Sequence, residues 1–208
     1  LARNTPPETL QSDFIRLKQP THYQHTINFN DLSAKVNRST VPATGVQMRI
    51  YSSRFALAPV GEGRDLSKND PVYLGALQPY ALYIPTSAIN GKPHPLHWSF
   101  HSNAQQHWQY NGSRYVQQIG EDLDAFVPTP LGRGPRNWYD ESAEADTFEV
   151  WADIAQHFKI DANRGATTGY SMGGFATYRY GVLYPDLFGK AFSVVGPPGE
   201  LLWVPGNA

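Results

Sequence analysis

Cysteine is absent from the 208 residues, which removes disulfides, thiolate metal sites and a cysteine nucleophile together and leaves the redox compartment open. An excess of one charge is missing as well. Seventeen Lys and Arg against 18 Asp and Glu give a formal charge of −1, so there is no electrostatic footprint for nucleic acid or an anionic membrane. No run of about 18 apolar residues occurs and no charged-then-apolar leader opens the chain, so the sequence offers no membrane span. It begins at Leu1 rather than Met and closes on the turn-rich "PPGELLWVPGNA", and both ends read as cut. What is present is ordinary globular composition, 40% hydrophobic and 17% charged, enough to bury one core. Plentiful Pro, Gly and aromatic residues suit a fold with many turns and a ring-rich surface.

Two regions are expected. Residues 1–75 are irregular and proline-punctuated, with one extended run at "GVQMRIYSSRFAL" (45–57), where Val46, Met48, Ile50 and Phe55 supply strand-forming side chains. This reads as an N-terminal β-rich extension. It leads through the charged, Gly- and Pro-containing "GEGRDLSKNDP" (61–71) to a boundary near residue 75. From 76 to 208, short apolar runs alternate with helical periods, the pattern of an α/β fold with a mostly parallel sheet and flanking helices. Strands are predicted at "YALYIP" (80–85), "PLHWSF" (95–100), "AFVPTP" (125–130), "GATTGY" (165–170) and "KAFSVV" (190–195). Helices are predicted at 113–123, with Tyr115, Val116 and Ile119 on one side, and at 142–158, with Phe148, Trp151, Ile154, Ala155 and Phe158 inward. In the second of these Glu144, Asp146, Glu149 and Asp153 are expected to face water. A third helix runs from Met172 to Tyr184, where Tyr184-Pro185 stops it.

Between strand and helix lies "TTGYSMGGF" (167–175), with Ser171 between Gly169 and Gly173. A serine hydroxyl attacks an acyl carbon only when it protrudes and a base takes its proton. A tight strand-to-helix turn solves the first need, and it demands small residues two before and two after the serine, because the two backbones nearly touch there. The turn also places the Met172 backbone N–H at a helix N-terminus, where it can stabilise the oxyanion of a tetrahedral transition state. Ser171 is therefore the predicted nucleophile. "GRGPRNWYD" (132–140) follows a core strand at the sheet edge where α/β folds bind ligands, so Arg133, Trp138 and Tyr139 are predicted to line a substrate pocket. The competing reading is a structural loop whose arginine pairs with a carboxylate. Trp108, in the loop after "LHWSF", and Tyr170, beside the serine, complete the predicted substrate-binding set.

Residues 78–200 resemble the α/β-hydrolases, in particular secreted bacterial esterases and prolyl-oligopeptidase-like hydrolases. The resemblance rests on "QPYALYIP", "PLHWSFHS", "TPLGRGPRNWY", "IDANRGATTGYSMGG" and "YPDLFGKAFSVVG". It implies a secreted serine hydrolase with a Ser, acid, His triad and a second oxyanion donor from the loop after "LHWSF". No cofactor is implied. Where the family has His-Gly this chain has His101-Ser102, which reduces backbone freedom in that loop; the backbone N–H of Ser102, or of Asn103, is the expected donor.

The order Ser, acid, His cannot be met within these residues, since all seven histidines (22, 25, 94, 97, 101, 107 and 157) precede Ser171 and only 37 residues follow it. The last strands of the fold are missing with them. A C-terminal fragment or second chain is therefore expected to complete the sheet and bring the acid and histidine. Fallbacks inside the chain are His101 as base and Glu200 as acid. His94, His97, His101 and His107 also invite a metal reading, weakened by the separation of His97 and His101 along an extended strand. Ester cleavage is preferred to amide cleavage because alkoxides leave with less acid assistance than amines; a serine peptidase and a non-catalytic, hydrolase-like binding protein are the alternatives.

Overall fold

Apolar runs of four to eight residues become strands here wherever neighbours cover both faces, and the central strands are buried along almost their whole length. The computed structural model describes residues 28–34, 42–55, 73 and 75–198. The chain divides into two compact units, Leu1–Val41 and Pro42–Ala208. In the first, the described residues form a five-residue helical segment, Phe29–Ser33.

The second unit carries β1 (Gly45–Ser52), β2 (Leu77–Ile84), β3 (His97–Phe100), α1 (Arg114–Asp122), β4 (Val127–Pro130), α2 (Glu141–His157), β5 (Ala166–Tyr170), α3 (Met172–Leu183) and β6 (Lys190–Val194). Each predicted strand and helix is present, with ends moved by a few residues. The sheet is not mostly parallel, however. β1, β2 and β4 pair antiparallel, while β3, β5 and β6 pair parallel. The halves join at one parallel bridge, Leu96 to Phe126, where His97 N–H donates to Phe126 O at 2.8 Å and Phe126 N–H to Pro95 O at 3.0 Å. An apolar run has no direction written into it, so alternation of strands and helices could not reveal the antiparallel half.

The boundary expected near residue 75 does not coincide with a break among the described residues. β1 pairs with β2 from Gly45–Ile84 to Ser52–Leu77 and so belongs to the sheet. Val46, Met48 and Ile50 nevertheless lie on its exposed side, while Tyr51 points into the core.

The core is a stack of rings. Trp98 and Phe100 of β3 lie against Trp151, Tyr139, Tyr180 and Phe188, with centroid separations of 5.8 Å for Trp98–Trp151, 4.8 Å for Phe100–Tyr139 and 5.2 Å for Phe100–Tyr180. Such pairs contribute about 0.5–1.5 kcal/mol each beyond the area they bury. α1 starts at Ser113, whose side chain accepts the Val116 N–H, and it turns Val116 and Gly120 inward but leaves Tyr115 exposed.

α2 departs from expectation in its acidic residues. Asp146 is wholly buried and Glu144, Glu149 and Asp153 are half-buried rather than facing water, whereas Ala155 is exposed. Cations explain this: Arg133 lies 3.8 Å from Asp146 and 3.5 Å from Glu149, Arg49 3.7 Å from Asp153, and Arg179 2.7 Å from Glu144. A buried carboxylate persists where paired charges and hydrogen bonds replace water, and here the partners come from distant parts of the chain.

Candidate active site

Ser171 stands between β5 and α3 with φ 57° and ψ −115°, a left-handed conformation that costs a non-glycine residue about 1–3 kcal/mol. The surroundings hold it there. Its N–H donates to Val194 O at 3.0 Å, and its carbonyl accepts the Phe175 N–H at 2.9 Å. A Cβ on Gly169 would lie 2.4 Å from the Gly173 carbonyl, and one on Gly173 would lie 2.1 Å from Phe100 O, so neither position has room for a side chain. Ser171 is half-buried, and its hydroxyl makes no hydrogen bond among the described residues. Met172 opens α3, where first-turn N–H groups have no intrahelical acceptor.

The contact between Gly173 and Phe100 also sets the loop after β3 beside the elbow. That loop is pinned at almost every amide. His101 N–H donates to the Tyr139 hydroxyl at 2.9 Å, Ala104 N–H to Pro135 O at 2.7 Å and Gln105 N–H to Ser102 O at 3.1 Å. Ser102 N–H, expected as the second oxyanion donor, is taken: it donates to Gln109 Oε1 at 2.8 Å. The Asn103 N–H is left without an acceptor among the described residues, and Asn103 is exposed.

His101 does not reach the serine as a base. Its ring is fully buried, with Nδ1 2.9 Å from Ser102 O and Nε2 2.9 Å from Leu131 O. Burial pushes its pKa down, although the two carbonyls oppose the shift. His107 is lowered to about 4, by burial first and by His101 second. His94 contacts Asp124 O and Asn90, and His157 contacts Asp153 O on the far end of α2. Among the described residues no group of three or more His, Cys, Asp or Glu could hold a metal ion, so His94, His97, His101 and His107 do not assemble into a centre. Glu200 lies outside the described residues.

Of the predicted substrate residues, three are structural. Arg133, 1% exposed, is the buried cation between Asp146 and Glu149, and it also donates to Gly75 O and to the Ser53 hydroxyl. Tyr139, also 1% exposed, gives its hydroxyl oxygen to His101 N–H and its carbonyl to the Tyr180 hydroxyl. Trp138 is buried edge-on against Phe175, 5.4 Å between centroids. The loop from 132 to 140 turns inward because its arginine meets two carboxylates that a linear reading placed in solvent. Trp108 and Tyr170 are 42% and 49% exposed. Gln109 and Tyr110, which hold Ser102, were not singled out from the sequence. Polar residues in "QQHWQY" carry no sign of which backbone amide they will meet.

A cavity of about 460 Å³ opens at the other end of the parallel strands, lined by Leu96, His97, Ala166, Lys190 and Phe192, and so lies away from Ser171.

No protein-family model and no curated protein matches the chain. Solved structures do. The fluorophosphonate-binding serine hydrolase F of Staphylococcus aureus superposes with a TM-score of 0.58 at 17% identity, over 74% of this chain and 57% of that one. A ferulic acid esterase of Anaeromyces mucronatus gives 0.54 at 14%, over 78% and 62%. The S-formylglutathione hydrolase of Agrobacterium tumefaciens gives 0.50 at 19%, over 73% and 58%. The fold is that of the α/β-hydrolases. This chain carries it in part, spanning under two thirds of the length of these three structures. Within the α/β-hydrolase frame Ser171 occupies the turn between strand and helix, the position from which a hydroxyl stands above the sheet. Among the described residues no helix is long and apolar enough to cross a membrane.

Proposed function

We propose that this chain is the nucleophile-bearing part of a serine hydrolase that cleaves carboxylic esters through an acyl-enzyme on Ser171. The observation that carries the reading is the strained turn at Ser171: a left-handed serine, flanked by glycines with no room for a methyl group, with its hydroxyl unengaged. Strain of this kind persists where the fold over-determines it, and a hydroxyl lifted clear of the sheet is its chemical use.

Ser171 Oγ attacks the carbonyl carbon as its proton passes to an imidazole. The oxyanion forms against the N–H groups of Met172 and Asn103, the latter replacing Ser102 because the Ser102 amide is engaged by Gln109. The alkoxide leaves with the transferred proton, and water then releases the acyl group by the same steps in reverse. Trp108 and Tyr170, both exposed near the elbow and its loop, offer rings to the substrate. Likeness to ferulic acid esterases and an S-formylglutathione hydrolase supports ester over amide cleavage. The resemblance to secreted esterases supports export.

The imidazole and its acid partner come, in this reading, from a C-terminal fragment or a second chain that also covers β6. Two facts support this. None of the five described histidines makes a hydrogen bond with Ser171, and β6 is exposed along most of its length, with Phe192 71% exposed. Labelling of the complete protein by a fluorophosphonate at Ser171, abolished in Ser171→Ala, tests the nucleophile. Faster turnover of a p-nitrophenyl ester than of the matched anilide tests the ester preference. A folded protein that resists labelling would instead be a binding protein whose serine is silent.

A further inference from the structure

Ser102 is held by two side chains that nothing in the hydrolase reading requires. The Gln109 carboxamide grips it twice, with Oε1 accepting the Ser102 N–H at 2.8 Å and Nε2 donating to Ser102 Oγ at 3.3 Å. The Tyr110 hydroxyl then meets the same Oγ at 2.7 Å. Ser102 itself is buried. The neighbouring amides of His101, Ala104 and Gln105 are anchored by Tyr139, Pro135 and Ser102, so the Asn103 N–H is the one amide from 101 to 105 without an acceptor among the described residues. The Ser102 carbonyl and the Asn103 N–H belong to a single rigid peptide unit, which is held through the carbonyl by the Gln105 N–H at 3.1 Å and His101 Nδ1 at 2.9 Å, while Gln109 holds the preceding peptide by the Ser102 N–H and the side chain by Oγ.

We propose that Gln109, assisted by Tyr110, is a positioning residue of the oxyanion site: it clasps Ser102 by backbone and hydroxyl together and so aims the Asn103 N–H at the oxygen of an acyl substrate. The inference rests on the hydrolase reading above. The clasp supplies by hydrogen bonding the local geometry that a glycine would reach by backbone freedom, and serine is the residue that can receive it, because its hydroxyl provides the second point of attachment. It also accounts for the order of the loop. Gln106 O accepts the Gln109 N–H at 2.9 Å, a turn that brings the carboxamide back over Ser102.

The test compares an oxygen ester with its thiono counterpart in the complete active protein. Sulfur accepts hydrogen bonds poorly, so a well-aimed oxyanion donor accelerates the oxygen ester far more than the thiono ester. Gln109→Leu is expected to lower kcat for the oxygen ester about 10- to 100-fold with KM changed less than about twofold, somewhat below the loss from deleting a donor outright. The oxygen-to-sulfur ratio should fall by nearly as much. Gln109→Glu, which still accepts the Ser102 N–H and can accept from its hydroxyl, should restore most of the ratio. Tyr110→Phe removes one contact to Oγ, should lower the ratio by a smaller factor, and decides the matter if Gln109→Leu does not fold. Equal losses on both esters, or no loss in any of the three variants, overturn the clasp while leaving Ser171 in place. Ester turnover that survives Ser171→Ala overturns the hydrolase reading, and this inference with it.

Discussion

At the scale of single residues, Ser171 trades stability for exposure. Its φ of 57° is a conformation that glycine adopts without steric penalty. Ser171→Gly should therefore raise the unfolding free energy by about 1 kcal/mol in urea titration while eliminating fluorophosphonate labelling. A variant that is less stable than the parent would show that the turn is unstrained. The turn at Ser171 was readable because its requirements are local: a strand runs directly into a helix, and the glycines two residues either side of the serine allow the close approach. For Arg133 and Tyr139 the sequence left a pocket and a structural loop open, and the structure has both residues buried. Their partners, Asp146, Glu149 and His101, lie elsewhere in the chain, so sequence proximity to a strand end suggested a pocket where the fold makes a buried anchor.

At the scale of elements, α2 and the 132–140 loop form one electrostatic unit. Asp146 accepts from Tyr51 and from the Gly132 N–H at 2.8 Å and pairs with Arg133, yet burial outweighs these and pushes its pKa up to about 6. A carboxyl raised from 3.8 to about 6 on folding keeps its proton in the native state where the unfolded chain has lost it. Its contribution to stability thus falls as pH rises from about 4 to 6 and is level above that. The urea midpoint of Asp146→Asn minus that of the parent should rise as pH goes from about 4 to 6 and be level above it, a difference from which other titrating groups cancel. Arg133→Leu leaves Asp146 and Glu149 without their buried cation and should cost about 3–5 kcal/mol at pH 7.5, less at pH 5 where Asp146 can hold a proton. An equal loss at both pH values would count against the coupling. Strands and helices themselves were legible from their periods, since burial of one face is what creates a period. The acidic positions of α2 were not, because a carboxylate neutralised by a distant arginine looks in sequence like one facing water.

At the scale of the whole molecule, the fold is recognisable and spans part of the length of its structural neighbours, and the proposed chemistry calls for a base from a further segment. If the proposed second segment supplies the base, a protein limited to these 208 residues should react with a fluorophosphonate at least about a hundredfold more slowly than one to which that segment is added, the smaller end of what a general base contributes. Equal rates would show that a base already stands near Ser171 and would remove the need for a second segment. The parallel strands β3, β5 and β6 hold the elbow, and the antiparallel strands β1, β2 and β4 hold the Arg133 cluster; among the described residues the strand pairing between the two halves is the short bridge at Leu96 and Phe126. A sheet stitched so sparingly down its middle has a natural fault line, along which the halves can part before either melts. Amide deuteration should then resolve two cooperative opening events, with the protons of His97 and Phe126 exchanging together and ahead of those deep inside β2 and β5.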